Sequence, residues 1–424
     1  MAAAMQTDIA VIGGGISSLH AIEECAKDKS VKVTAILGNN FLEFPMAGAV
    51  ILADPDVHQK WVCGNPKTFE VKGVNYVYGA VADVNASSKI ITTANGESIE
   101  YKALIVATGS KAPLVQPTPG ASLAERFAEV KEAAAAIKAA QTVAIYGTGL
   151  VAIEIAGDIR ARNPTKRIVM VSRDGTVLGS ESPELRARVQ PVLEKMQIEV
   201  MKGTAPDEYL QPKFTAGTVP LSNGLLSELK YDVWIPGFAQ GPNTNFLKES
   251  DCLDSRGRLE VNESLQSTKF PEIFGACITT VPLGGHPIVA RATAQAKTCA
   301  KNALLLLKGK AVQKHVDKEG PPPMKGPMNV KIGHGKGGYL IWNDLGPGNY
   351  LCCIPCGGGF PFCPPPCCWC CAPGCATCLG PCCGKAESEG ASQVLYSFML
   401  PKAMGMHGYK GAGEMSPEMQ KMTS

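Results

Sequence analysis

One structural unit occurs twice in this chain and limits what it can become. The run Asp8 to Ile12 enters Gly13-Gly14-Gly15. A helix-like stretch, Ser17 to Lys27, then leads to a second apolar run, Val31 to Leu37. About 135 residues later the order repeats. Val143 to Tyr146 enters Gly147-Thr148-Gly149, a helix follows from Val151 to about Arg160, and Ile168 to Ser172 is again strand-like. Strand, glycine turn, helix, strand is a βαβ unit. It brings free N–H groups at a helix N-terminus to the end of a parallel strand, where a diphosphate can bind. The first glycine turns the chain, and the second lets the backbone approach a pyrophosphate. A third position, held here by Ser18 and Ala152, must be small for helix–strand packing. One such loop alone could be an ordinary tight turn. Two in matching context predict an α/β fold with two Rossmann-like dinucleotide-binding domains. One would take a flavin dinucleotide and the other a nicotinamide dinucleotide.

A chain of 424 residues has room for two or three domains at ~100–200 residues each. The pattern places a discontinuous flavin domain at 6–115 and 248–312 and a nicotinamide domain at 116–247. A small C-terminal α+β region starts at 328–345, and a tail covers 346–424, frayed from Met404 onward. Glu319 to Pro327 reads as a linker. Lys89 to Thr93 and Ser98 to Tyr101 flank Asn95-Gly96, a hairpin signal. Leu104 to Ala107 reads as a separate buried strand ending at Thr108-Gly109. Ser122 to Ala140 and Ala290 to Leu307 are helical; Ile198 to Met201, Val233 to Pro236 and part of Asn329 to Trp342 are strand-like.

Net charge is +3, and aromatic residues make up 6%. Neither favours a nucleic-acid surface, so no such partner is expected. No secretory leader and no uncharged apolar run of spanning length is seen, which suggests a cytoplasmic protein. Of 17 cysteines, five are scattered (Cys25, Cys63, Cys252, Cys277, Cys299), and the rest lie between Cys352 and Cys383. Cys25 and Cys299 read as packing thiols. No Cys-x-x-x-x-Cys pair stands near the first helix, which argues against a dithiol disulfide reductase. The histidines show no ligand spacing, and no metal site is assigned.

An acid at the end of the second strand of each unit would bind the adenosine ribose. In the first unit Leu37-Gly38 stands there and cannot accept such a bond. In the second, Ser172 and Arg173 stand there and favour a 2′-phosphate, hence NADPH. Arg173 could equally be a solvated surface charge.

The ordered set GGGISS, YKALIVATGS, AIYGTGLVAIEIAGDI, DVWIPGFAQGPNTNFL and LEVNESLQSTKFPEIFGAC resembles flavoprotein reductases of the pyridine-nucleotide-disulfide-reductase type. It is most similar to the apoptosis-inducing-factor-like group (mitochondria-associated type 2, or ferroptosis suppressor). FLEFPMAGAVILADP and MNVKIGHGKGGYL extend the likeness to about residues 6 to 342. The resemblance implies an FAD-dependent NAD(P)H oxidoreductase that passes electrons to a quinone-like acceptor. It implies that Gly13, Gly14, Gly15, Ser17, Thr108 and Gly109 line the FAD, with Val81 near its adenine. Gly147 and Gly149 would cradle NAD(P)H, and Glu154 would stand as the catalytic acid close to the nicotinamide. In the group's motif before the last helix, Cys277 stands at a glycine and Ile278 at the aspartate that holds the flavin ribityl chain. An unpaired hydroxyl there would cost ~1–3 kcal/mol. With Leu37, the two losses predict FAD binding weakened roughly 10²-fold. A divergent, non-catalytic nucleotide-binding protein is the alternative reading.

The tail carries Cys353-x-x-Cys356, Cys367-x-x-Cys370, Cys368-x-x-Cys371 and Cys375-x-x-Cys378. This spacing suits thiolate metal binding. S-acylation would instead give peripheral membrane contact, and a low-complexity appendage is the third reading.

Overall fold

The computed structural model describes residues 4–280, 289–316, 329–333 and 338–342, with positions 404, 408, 409, 412 and 413. The chain divides into two compact units. One takes Met1–Ala133, Ala239–Pro323 and Met404–Ser424; the other takes Ala134–Phe238 and Met324–Ala403. The divisions at 133/134 and 238/239 differ from the borders read from the sequence, and the first falls inside a helix.

The first unit begins with β1 (Met5–Ile12), α1 (Ile16–Cys25), β2 (Val33–Leu37), β3 (Leu42–Glu43), α2 (Gly48–Ala53), β4 (Val62–Cys63), β5 (Asn75–Tyr78), β6 (Val81–Asn85), β7 (Ile90–Thr93), β8 (Ser98–Val106) and α3 (Leu123–Ala139). The second contains β9 (Thr142–Tyr146), α4 (Leu150–Arg162), β10 (Arg167–Ser172), α5 (Pro183–Lys195), β11 (Ile198–Lys202), β12 (Gly217–Pro220), β13 (Glu228–Tyr231) and β14 (Val233–Pro236). The chain then adds β15 (Ile273–Gly275) and α6 (Val289–Leu307) to the first unit, and β16 (Asn329–Ile332) and β17 (Tyr339–Trp342) to the second.

The first unit is built on a seven-stranded sheet in the order β5-β2-β1-β8-β7-β6, with β15 also paired to β8. β1 runs parallel to β2 and β8, and its residues Ile9 to Ile12 are almost wholly buried. A strand covered on both faces has to be continuously apolar, and this one is. The two strands expected at Ser98–Tyr101 and Leu104–Ala107 are one. β8 alternates buried and open residues while it pairs with antiparallel β7, then turns fully buried where Leu104–Val106 pair with β15. The change of pattern marks a change of neighbour, with no turn between the halves.

In the second unit β11, β10, β9 and β14 form a parallel sheet, and β12–β13 is a hairpin. Trp234, wholly buried, sends its indole N–H to Tyr209 O at 2.7 Å and packs among Tyr146, Tyr209 and Tyr231. The sequence reading missed α5, which is capped by Ser182 accepting from Leu185 N (3.2 Å), with Pro183 in its first turn. Pro191, inside the helix, hides it from pattern reading. β16 and β17 form an antiparallel pair.

Of the end expected to fray from Met404, the described positions include packed ones. Met404 and Tyr409 are 3% and 2% exposed, and Gly413 N donates to Val62 O at 2.9 Å. These positions belong to the first unit. The Glu319–Pro327 linker and the cysteine-rich strip lie outside the described residues, together with the readings made of them.

Candidate functional site: two glycine cradles

In the first unit the turn after β1 is fixed from both sides. Gly13 N donates to Ile36 O and Ala107 N to Ile12 O, each at 3.0 Å. Gly13 has φ +134°, and a Cβ there would stand 2.3 Å from Ala107 O. Only glycine fits. Ser18 is fully buried, with its Cβ 3.2 Å from that same point, and its hydroxyl donates to Gly15 O at 2.7 Å. Serine therefore serves well as the small residue at the third position. Leu37 and Leu42 lie beside Gly14, and Ser17 is half-buried on the first turn of α1. Gly15 caps α1 with no side-chain hydrogen bond, and nothing lies within 4 Å of where its Cβ would be. Open space in front of an uncapped helix N-terminus suits an anion.

Thr108 and Gly109 reach the same end of the sheet. The Thr108 hydroxyl donates to Asn243 O (2.6 Å), and Asn243 N donates to Gly109 O (2.9 Å). Gly109, at φ +67°, also faces open space. Asn243 was not among the residues chosen from the sequence; its pairing spans 135 positions. After β15, Ala276 N and the Thr279 hydroxyl both donate to Val106 O (3.2 Å each), so Cys277 and Ile278 stand beside the end of β8. Cys277 adopts φ +60°, the left-handed conformation that favours the glycine expected there, and its N–H donates to the buried Gln295 side chain at 2.7 Å. Ile278 is half-buried. The loops after β1, β8 and β15 thus meet at the carboxyl ends of parallel strands, where such folds bind ligands.

The end of β2 carries no acid. Leu37 is fully buried, and its carbonyl accepts from Gly79 N at 2.8 Å, two residues before the half-buried Val81. Gly38 lies under Pro119, where a Cβ would come within 3.0 Å. The Asn39 amide donates to Thr118 O (2.9 Å) and Ala121 O (2.8 Å). The residues present fit FAD through the backbone at its diphosphate, with neutral side chains at the two places where acids would hold its hydroxyls.

The second cradle repeats the geometry. Gly147 has φ +121° with its Cβ position 3.2 Å from the Phe238 ring, and its N–H donates to Val171 O at 2.7 Å. Gly149 caps α4 without a side-chain bond and also faces open space. A Cβ on Gly237 would strike Ala152 at 2.6 Å, so helix and strand pack closely at the third position. The Ser172 hydroxyl is taken up by its own turn, donating to Asp174 Oδ1 (2.6 Å) and accepting from Gly175 N (3.0 Å). Arg173 is exposed at the tip. Asp174, which the sequence reading passed over, is held below the usual carboxylate range by the Ser172 hydrogen bond and by Thr176 N. A fixed acid and an exposed guanidinium thus share the end of β10.

Glu154, on α4, is half-buried. Burial pushes its carboxyl up to about 7, Lys331 on β16 opposes that rise, and Asp158 adds to it. Lys331 and Asp158 form a buried ion pair. Among the described residues no group of metal-ligating side chains comes together, and no helix is long and apolar enough to cross a membrane.

Two cradles of this kind, each at the carboxyl end of a parallel sheet, define a two-dinucleotide-fold oxidoreductase. The family model for pyridine nucleotide-disulphide oxidoreductases matches residues 7–296, and the chain belongs to that family. It is an enzyme that uses FAD with NAD(P)H. The oxidoreductase ptaL of Pestalotiopsis fici is 26% identical over 282 residues, 64% of this chain and 72% of that protein. Apoptosis-inducing factor homolog A of Dictyostelium discoideum is 24% identical over 271 residues, 58% of this chain and 65% of that protein, in keeping with the resemblance carried by the motifs. Among solved structures, the sulfide:quinone oxidoreductase of Aquifex aeolicus superposes with a TM-score of 0.59 at 15% identity, covering 80% of this chain and 83% of that one.

Proposed function

We propose that the protein takes electrons from NADPH through FAD and delivers them to a quinone-like acceptor. The observation that carries the reading is the pair of open, uncapped helix N-termini behind Gly13 and Gly147, each next to glycines that admit no side chain. When bound, the cofactors supply the redox chemistry, hydride acceptance and onward electron transfer. The chain supplies the rest. The first turns of α1 and α4 present N–H groups to the two diphosphates. Arg173, exposed, offers a guanidinium to a 2′-phosphate, and Glu154, seven residues beyond Gly147 on the second turn of α4, places a carboxyl for the nicotinamide end. The fold shared with a quinone-reducing enzyme of Aquifex aeolicus supports the acceptor class.

The purified protein is expected to be yellow, to bleach anaerobically on addition of NADPH and to recover its colour with a short-chain quinone. A colourless protein that takes up no added FAD would overturn the reading; bleaching without reoxidation by any quinone would overturn the acceptor. Arg173→Ala is expected to raise KM for NADPH at least about tenfold, the scale of one lost charge-assisted contact, and to leave KM for NADH unchanged. Equal effects on both would remove the 2′-phosphate role.

A further inference from the structure

The family match ends at residue 296, and the strands β16 and β17 follow it. They are nevertheless built into the nucleotide-binding unit. A Cβ on Gly157 of α4 would stand 2.2 Å from Gly333 N and 2.7 Å from Ile332 C, so the helix admits the β16 backbone only because residue 157 is glycine. Val330, Ile332 and Ile341 are fully buried. Amid these apolar residues β16 carries a lysine. Lys331 is 1% exposed and pairs with Asp158, itself 0% exposed. Asp158 Oδ1, the other carboxylate oxygen, has no hydrogen-bond partner among the described residues.

A buried ion pair is a poor source of stability, since desolvation offsets most of the attraction. Apolar residues of similar size would hold β16 on α4 as well. The position of this pair is informative. Asp158 follows Glu154 by four residues, so the two carboxyls share one face of α4, a helical turn apart. Lys331 stands close enough to both to act on each.

We propose that Lys331 is a positioning residue for the nicotinamide site: by neutralising Asp158 it sets the charge carried by Glu154, and the β16–β17 pair is thereby a working part of the nucleotide-binding unit. The proposal rests on the reading that Glu154 serves the nicotinamide end. The other charges on elements packed against α4 lie elsewhere. Arg167 of β10 pairs with Glu199 of β11 at the exposed edge, Lys202 is at the exposed end of β11, and β9 carries none. Among the described residues, Lys331 and Asp158 are the charges that act on Glu154, whose carboxyl burial pushes up to about 7.

The signs of the two substitutions follow. Removing the lysine leaves the buried Asp158 carboxyl and the half-buried Glu154 carboxyl as unopposed neighbours, which then titrate as a pair and keep a proton to higher pH. Removing the aspartate leaves the cation unopposed beside Glu154, which then ionises at lower pH. A purely structural role would not move the titration in opposite directions.

The test uses the FAD-loaded full chain. Glu154 is titrated directly by carboxyl NMR or by its infrared carbonyl band, assigned with Glu154→Gln, and the pH profile of NADPH-driven flavin bleaching is recorded beside it. Lys331→Met is expected to shift the titration up by at least one pH unit and Asp158→Asn to shift it down by a similar amount. Lys331→Arg should restore it to within a few tenths. If Lys331→Met fails to fold, the Lys331→Met/Asp158→Asn double variant, without a buried charge, returns the titration towards wild type and keeps the comparison available. Shifts of one sign, or none, would overturn the proposal and leave the proposed function standing. Opposite shifts that the bleaching profile does not follow would instead overturn the placement of Glu154 at the nicotinamide.

Discussion

Gly15→Val is expected to give a folded protein that binds FAD more than about 100-fold less tightly, or roughly 2.8 kcal/mol at 1.4 kcal/mol per decade. At Gly15 the backbone is extended (φ −96°, ψ −174°), which a β-branched residue adopts readily, and nothing lies within 4 Å of the new Cβ. The flavin-free fold therefore loses no more than the preference for glycine over valine at an N-cap, ~1 kcal/mol, and its thermal midpoint should stay within a few degrees of the wild-type apoprotein. The space the side chain would fill is the space in front of the α1 N-terminus, where a diphosphate has to approach the backbone. Gly13→Val behaves differently. A residue at φ +134° with its Cβ 2.3 Å from a carbonyl oxygen forces the loop to move, so both stability and FAD are lost. Flavin content by absorbance, set beside a melt of the flavin-free protein, separates the two. Wild-type flavin content in Gly15→Val would remove the diphosphate from this loop.

Both cradles were legible because their signal is local. A glycine with positive φ between a buried strand and a helix leaves a mark in the sequence wherever it occurs, and Gly13 and Gly147 left it. Cys277 was legible only through the resemblance, since its left-handed backbone marks a glycine's place held by another residue. What escaped the sequence are pairings with no local trace. Lys331 meets Asp158 across 173 positions, Thr108 meets Asn243 across 135, and Arg126 meets Glu43 across 83. Each needs the fold before it can be seen. The described C-terminal positions escaped for another reason: they lie in sequence rich in methionine and glycine, a composition typical of loose ends, yet Tyr409 packs on Phe44 and Gly413 N bonds Val62 O.

Arg126→Met should destabilise the protein by about 3–5 kcal/mol, the usual consequence of leaving one member of a buried ion pair alone. On a unit of this size that is about 10 °C in the melting temperature, or more. Arg126 is 1% exposed and makes two bonds to Glu43, Nε to Oε2 (3.0 Å) and Nη2 to Oε1 (2.8 Å), with further bonds to Leu114 O (2.8 Å) and Glu129 (2.6 Å). The buried His58 ring meets Glu43 Oε2 at 2.5 Å. Burial alone would raise the Glu43 pKa, but the Arg126 charge and the hydrogen bonds from His58 and Arg126 bring it down to about 2. The folded pKa is therefore below the unfolded value, so the unfolded chain takes up a proton first. The stability from this group is complete above about pH 5 and is lost as pH falls through the folded pKa near 2. Arg126→Met lacks that term, so the gap between variant and wild type should be widest at pH 7 and close as melts are repeated towards pH 3. A constant gap would mean that Arg126 acts by packing alone. Glu43→Gln/Arg126→Met, with no charge stranded, should cost less than Arg126→Met. The pair also reaches the first cradle, because Leu42, next to Glu43 on β3, lies 3.6 Å from the Cβ position of Gly14. With β3 loosened, the floor of that loop moves, and the melt of the FAD-loaded variant should fall further than that of the flavin-free form.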